Sequence, residues 1–195
     1  MHASATTFGE LSRCKRLKAA SARDHDSVDE LVMAARPFDD RERYALFLQV
    51  QHRFHGSLLA LYRDKQLNQR LPGLIKLSRF EAVEADMRAL GLLPPPLPEQ
   101  VSTSPAQALG WLYCSEGSNL GAAFLYKQTQ RLGLNDDQGA QHLAPHPDGR
   151  ALHWRDFVAK VDGLTLNEEE EKEAIAGAIK AFDSYRHILH EVFAD

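Results

Sequence analysis

Cysteine is nearly absent from this 195-residue chain. Cys14 and Cys114 stand far apart and form no CxxC pair, so neither a disulfide framework nor a zinc site is indicated. No lysine or arginine run occurs, and the formal net charge is −4 with a pI near 6.1. Nucleic acid and anionic membrane surfaces are therefore poor partners. No stretch of membrane-spanning length is free of charge. The first residues, MHASATTFGELSRCKR, lack the apolar core of a signal peptide. P-loop, GxGxxG, GxSxG and HExxH motifs are all missing. Strand-type alternation and internal repeats are missing too, while apolar residues recur at three and four throughout. These absences point to a cytoplasmic, all-α protein folded as a single domain over residues 1–195. A composition of 44% hydrophobic and 26% charged residues is enough to build one sizeable core.

What is present is a glycine-bearing helix. GWLYCSEGSNLGAAFLYKQ, Gly110 to Gln128, contains no proline and carries apolar residues on all sides, the mark of a buried helix. One face repeats small residues at helical spacing: Gly110, Cys114, Gly117, Ser118, Gly121 and Ala122. The other carries Leu109, Leu112, Tyr113, Leu120, Ala123 and Phe124. Interior glycines cost about 1 kcal/mol each against alanine, a cost tolerated where something approaches the backbone closely. Either a second helix packs there or something flat, such as a planar cofactor, lies against the glycines. Cys114 on such a helix reads as a small core residue.

Six or seven helices are expected. The first runs from near Phe8 to Ala35 and stops before Pro37. Its charged face includes Arg13, Lys15, Arg16 and Lys18, and its inner stripe is Leu17, Ser21, His25, Val28, Val32 and Ala35. A second begins around Asp39 and carries Tyr44 through Tyr62 inward, until Pro72-Gly73 breaks the chain. A third, Leu74 to Leu90, ends at Gly91. The proline-rich LLPPPLPEQVSTSP is an extended connection into the glycine helix. After a loop from Gly133 to Arg150 comes a short helix with Trp154 and Phe157 inward. The last helix opens at Asn167, an N-cap, followed by a run of glutamates that suits the helix dipole.

Among nine histidines, His25 stands out, because an imidazole occupies a stripe position that a leucine could fill. Two readings remain open: a buried neutral histidine bonded to a carbonyl, or an axial ligand to an iron porphyrin with Asp29, at i+4, orienting the ring. His52 and His55 lack a third ligand and read as structural. His142, His146 and His153 read as solvated, and His187 and His190 suit the end of the last helix.

These residues carry a family resemblance. A histidine in RLKAASARDHDSVDEL, followed by LGWLYCSEGSNLGAAFL, resembles heme oxygenase, in particular its bacterial iron-acquisition branch. The likeness extends through GAQHLAPHPDGRALHWRDFVAKVDGLTLNEEEE and AFDSY, hence over most of the chain. It implies a multihelical heme oxygenase-like fold, with heme between the first, proximal helix and a glycine-kinked distal helix. It implies His25 as the proximal iron ligand, and Gly117, Ser118 and Gly121 as the catalytic segment lying over the heme. Ser118 stands where mammalian relatives have an aspartate, which leaves water ordering to Glu116, Asn119 or backbone groups. The heme-contacting set would include Lys18, Asp29, Tyr113, Lys127, Arg155 and Phe182. Lys18, Arg16, Lys127 and Arg155 are the candidate propionate partners, Arg155 having a basic counterpart in the family.

The resemblance implies that heme, as both cofactor and substrate, is opened with O2 to biliverdin, carbon monoxide and ferrous iron. Electrons would come from a ferredoxin or flavin reductase, since the chain has no flavin or nicotinamide motif. The protein would be a monomer that releases iron from heme. In relatives that open heme at β or δ carbons, an asparagine and a lysine hold a rotated heme. The matching positions here are Lys18 and Gln128, so α-biliverdin is expected. Two competitors stand beside this reading. One is a heme-binding or trafficking protein without turnover; the other is a thiamine-degrading relative of the same fold, which would need Cys114 as nucleophile.

Overall fold

A computed structural model describes residues 11–194. Eight α-helices, with no strand among the described residues, follow in order: α1 Arg13–Ala34, α2 Arg41–Ser57, α3 Leu59–Arg63, α4 Lys65–Arg70, α5 Phe80–Ala89, α6 Pro105–Thr129, α7 Arg150–Asp162 and α8 Glu168–Val192. Short 3-10 turns lie at Leu74–Leu77, Gln130–Leu132 and Gln141–Leu143. No helix among the described residues is long and apolar enough to cross a membrane.

Local chemistry sets the helix ends. The Asp40 side chain accepts from the Arg43 amide at 2.8 Å and starts α2. Ser104 caps α6, with Pro105 in the first turn where its missing N–H costs nothing. Asn167 and Glu170 form the full reciprocal cap of α8, at 2.9 and 2.8 Å. The expected start of the first helix at Phe8 lies outside the described residues, and α1 itself begins at Arg13. The expected second helix is divided into α2, α3 and α4, and the third into a 3-10 turn and α5. Gly91 takes the left-handed conformation, φ 75°, that ends α5.

The core is shared by α8. Helices α1, α2 and α6 all pack on it, whereas α1 and α6 barely touch each other. Arg13, expected on the charged face of α1, is buried instead. Its guanidinium bonds Glu171 at 2.8 Å and the Leu164 carbonyl at 2.9 Å, fastening α1 to the start of α8. The charge is tolerated inside because it is paired and fully bonded.

Helices α6 and α8 meet backbone to backbone. A Cβ added to Gly110 would lie 2.0 Å from the Ala174 carbonyl, and one added to Gly177 would lie 2.0 Å from the Gln107 carbonyl. Packing against a second helix is therefore the role of the upper half of the small-residue face. At Gly121 the same construction meets nothing within 4 Å. Substituting these two glycines thus has opposite effects. Gly110→Ala is expected to lose about 1–3 kcal/mol of stability through overpacking. Gly121→Ala should gain up to about 1 kcal/mol from helix propensity. Urea unfolding of the two variants checks both signs.

Candidate functional site: a cleft between the first and sixth helices

Because α1 and α6 both lean on α8 and barely touch each other, they leave a cleft of about 430 Å³. The size suits a small-molecule site. One wall is α1, with Lys18, Ser21 and His25 one or two turns apart. The other is α6, with Tyr113, Gly117, Ser118 and Gly121, and Phe182 of α8 and Trp154 of α7 also line it.

His25 is not the buried histidine that its place in the stripe allowed. Its side chain is 59% exposed and lines the cleft. The ring meets Phe182 edge to face, with centroids 5.9 Å apart. Nδ1 lies 3.4 Å from Asp29 and 3.6 Å from Asp26, and Nε2 bonds no described residue. A carboxylate on one nitrogen and nothing on the other is how a ligating imidazole is oriented.

Across the cleft, Gly121 presents bare backbone, and a Cβ at Gly117 would touch the Trp154 ring at 3.4 Å. Tyr113 and Trp154 lie 5.5 Å apart, so the wall beside the glycines is aromatic. Helix α6 runs unbroken through both glycines. Leu120, which lines the cleft, and Phe124 are exposed, not buried as a helix apolar all round would have them.

The cleft thus gathers Lys18, His25, Tyr113, Gly117, Ser118, Gly121 and Phe182. Asp29 stands behind His25. Lys127 and Arg155 are exposed and are not among the lining residues. Arg16 is held by Glu171 at 2.9 Å. Cys114 also lines the cleft, but its thiol contacts the Ala178 carbonyl at 3.4 Å and burial pushes its pKa up. A ready nucleophile needs the opposite shift. Among the described residues, no group of three or more His, Cys, Asp or Glu side chains could hold a metal ion. A lone histidine suffices only for a metal that arrives with most of its ligands, as iron in a porphyrin does.

Behind the glycines lies a polar cluster of which the sequence reading named only Glu116 and Asn119, as candidates for ordering water. Glu116 is 1% exposed. Its Oε1 accepts from the Tyr62 hydroxyl at 2.6 Å, and its Oε2 lies 2.9 Å from His153 Nε2. Ser115 bonds Tyr62 at 2.7 Å. His153 and His142, expected to be solvated, are both buried. His142 is fixed by Asp86 at 2.6 Å, and His153 by Glu116. Ser115, Glu116 and Asn119, polar at adjoining positions of an apolar helix, were the available signal. His52 and His55 are structural: burial lowers both pKa values, that of His55 to about 3.

Comparison with known proteins agrees with this geometry. The heme oxygenase family model matches residues 11–191. Heme oxygenase PigA of Pseudomonas aeruginosa is 42% identical over 188 residues, covering 93% of each chain. The NO- and CO-bound heme oxygenase of Neisseria meningitidis superposes with a TM-score of 0.91 at 47% identity, covering 94% of this chain and 93% of that one.

Proposed function

The chain belongs to the heme oxygenase family, and we propose that it binds heme in the α1–α6 cleft and degrades it there to biliverdin. One observation carries this reading: the open backbone at Gly121 faces a cleft whose other wall bears His25 with Nε2 free of any described partner. A planar macrocycle needs a wall without side chains, and the bare backbone at Gly121 is such a wall.

In this reading His25 Nε2 holds the iron, and Asp29 and Asp26 keep Nδ1 as the protonated nitrogen. Bound heme supplies the iron at which oxygen is activated and is itself the ring opened, to biliverdin, carbon monoxide and ferrous iron. The chain's own residues position and shield. Gly117 and Gly121 let the α6 backbone approach the reacting face. The rings of Tyr113, Trp154 and Phe182 keep bulk water from that face. Lys18 is the cation on the cleft wall suited to a propionate. Lys127 and Arg155, outside the lining, are not assigned that role. Ser118, with its hydroxyl bonded to the Ser115 carbonyl at 2.6 Å, leaves the reacting face free of a carboxylate.

Electrons come from a separate ferredoxin or flavin reductase, and the protein acts as a cytoplasmic monomer releasing iron from heme. With Lys18 and Gln128 at the positions that would otherwise rotate the ring, cleavage falls at the α-meso carbon.

Hemin mixed with the protein and given ascorbate in air tests this directly. The Soret band should decay as a bilin band grows, with α-biliverdin as the main isomer on chromatography. A stable complex that persists would leave only heme binding, and a mainly β or δ product would overturn the regiochemistry. Gly121→Ala, which puts a methyl group on that wall, should weaken hemin binding about tenfold, or about 1.4 kcal/mol, without loss of fold. Unchanged affinity in a hemin titration would place the ring elsewhere.

A further inference from the structure

The carboxylates that orient His25 are its own neighbours. Asp26 and Asp29 belong to α1 and move with it, so they set the rotation of the ring and not its place in the cleft. That place depends on how α1 itself is held. At its start the helix is fastened by Arg13 to Glu171 and by the Cys14 amide to Asp162 at 2.8 Å. Beyond Ser21 the hold weakens. Residues 22–31, about 15 Å of helix, include no buried residue. Val28 and Leu31 are only partly buried against the core. His25 lies within this span.

Among the described residues, one ion pair crosses from this span to another helix. Arg186 of α8 donates to Asp24, the residue before His25, at 2.9 Å. The two side chains are 21% and 23% exposed, so the fold covers most of the pair. Asp183, one turn back on α8, bonds the same guanidinium and holds it in place. Asp24 lies on the interior side of α1, since its charge is felt by the Cys114 thiol of α6. Four residues before Arg186, on the same face of α8, Phe182 meets the His25 ring edge to face. Helix α8 thus touches the ligand turn twice, at the ring and at the residue beside it.

Resting on the heme oxygenase reading, we propose that Arg186 is a positioning residue, which through Asp24 fixes the distance of His25 from the glycine wall of α6. A partly exposed ion pair ordinarily adds little to stability. This one matters for where it sits. Helix α8 also carries α6, backbone against backbone at Gly110 and Gly177. Tying the His25 turn to α8 therefore ties one wall of the cleft to the support of the other. A reacting group misplaced by about 1 Å can slow a reaction about a hundredfold. The pair thus has a small part in folding and a larger one in how firmly the iron is held.

Arg186→Met removes the charge and keeps most of the stem, and Asp24→Asn removes the other half of the pair. In each, hemin affinity should fall about fivefold. The iron–imidazole Raman band of the ferrous hemin complex should broaden and move to lower frequency. The urea midpoint of the hemin-free protein should stay native. The double variant should lose no more affinity than either single one, because both break the same contact. Arg186→Lys, which keeps a cation for Asp24, should recover most of the affinity and the band. A native band and native affinity in Arg186→Met would overturn the proposal, as would additive losses in the double variant. So would a loss of affinity matched by a lower urea midpoint, the mark of a pair that only stabilises the fold. Native protein that gives no histidine-ligated spectrum with hemin would overturn the functional reading, and this role with it.

Discussion

The backbone contact between α6 and α8 at Gly110 and Gly177 governs the rest of the structure. Any side chain at either position would drive the helices apart, since the added Cβ would lie 2.0 Å from a carbonyl oxygen. With α6 held this close, and α1 fastened to α8 through Arg13 and Glu171, the two walls of the cleft are fixed by a common support. Neither needs to touch the other. A ligand can therefore lie between them without a core having to be opened.

The small-residue face of α6 divides between two tasks. Its first turns are small because a helix lies against them, whereas at Gly121 nothing in the protein does. Glycine in an exposed helix interior costs stability, and that cost at Gly121 is offset by no contact within the chain. Only a ligand makes it intelligible. The same helix buries Glu116 on its reverse side, where Tyr62 and His153 bond its carboxylate.

Much of this was legible in the residues. The helical class, the helix start near Asp39, the cap at Asn167 and the stop at Gly91 follow from local spacing and propensity, whereas the pairing of His25 with the glycine helix came from the family resemblance. His25 was ambiguous because periodicity places a residue on a face without saying whether that face is covered. The division of the second helix at Leu58 and Asp64 was not read, because Gly56 near the first break is also compatible with a continuous helix and no proline or glycine marks the second. Arg13, His142 and His153 were misread for one reason. A charged or titratable side chain reads as solvated until its partner is known. Their partners Glu171, Asp86 and Glu116 are remote in sequence and meet them only through tertiary packing.

The central claim is that iron is held by His25 in the α1–α6 cleft, and resonance Raman of the ferrous hemin complex tests it most directly. The iron–imidazole stretching band should be present in the native protein, absent in His25→Ala and restored in that variant by added imidazole. An undiminished band in His25→Ala without imidazole would put the iron on another histidine and contradict the account.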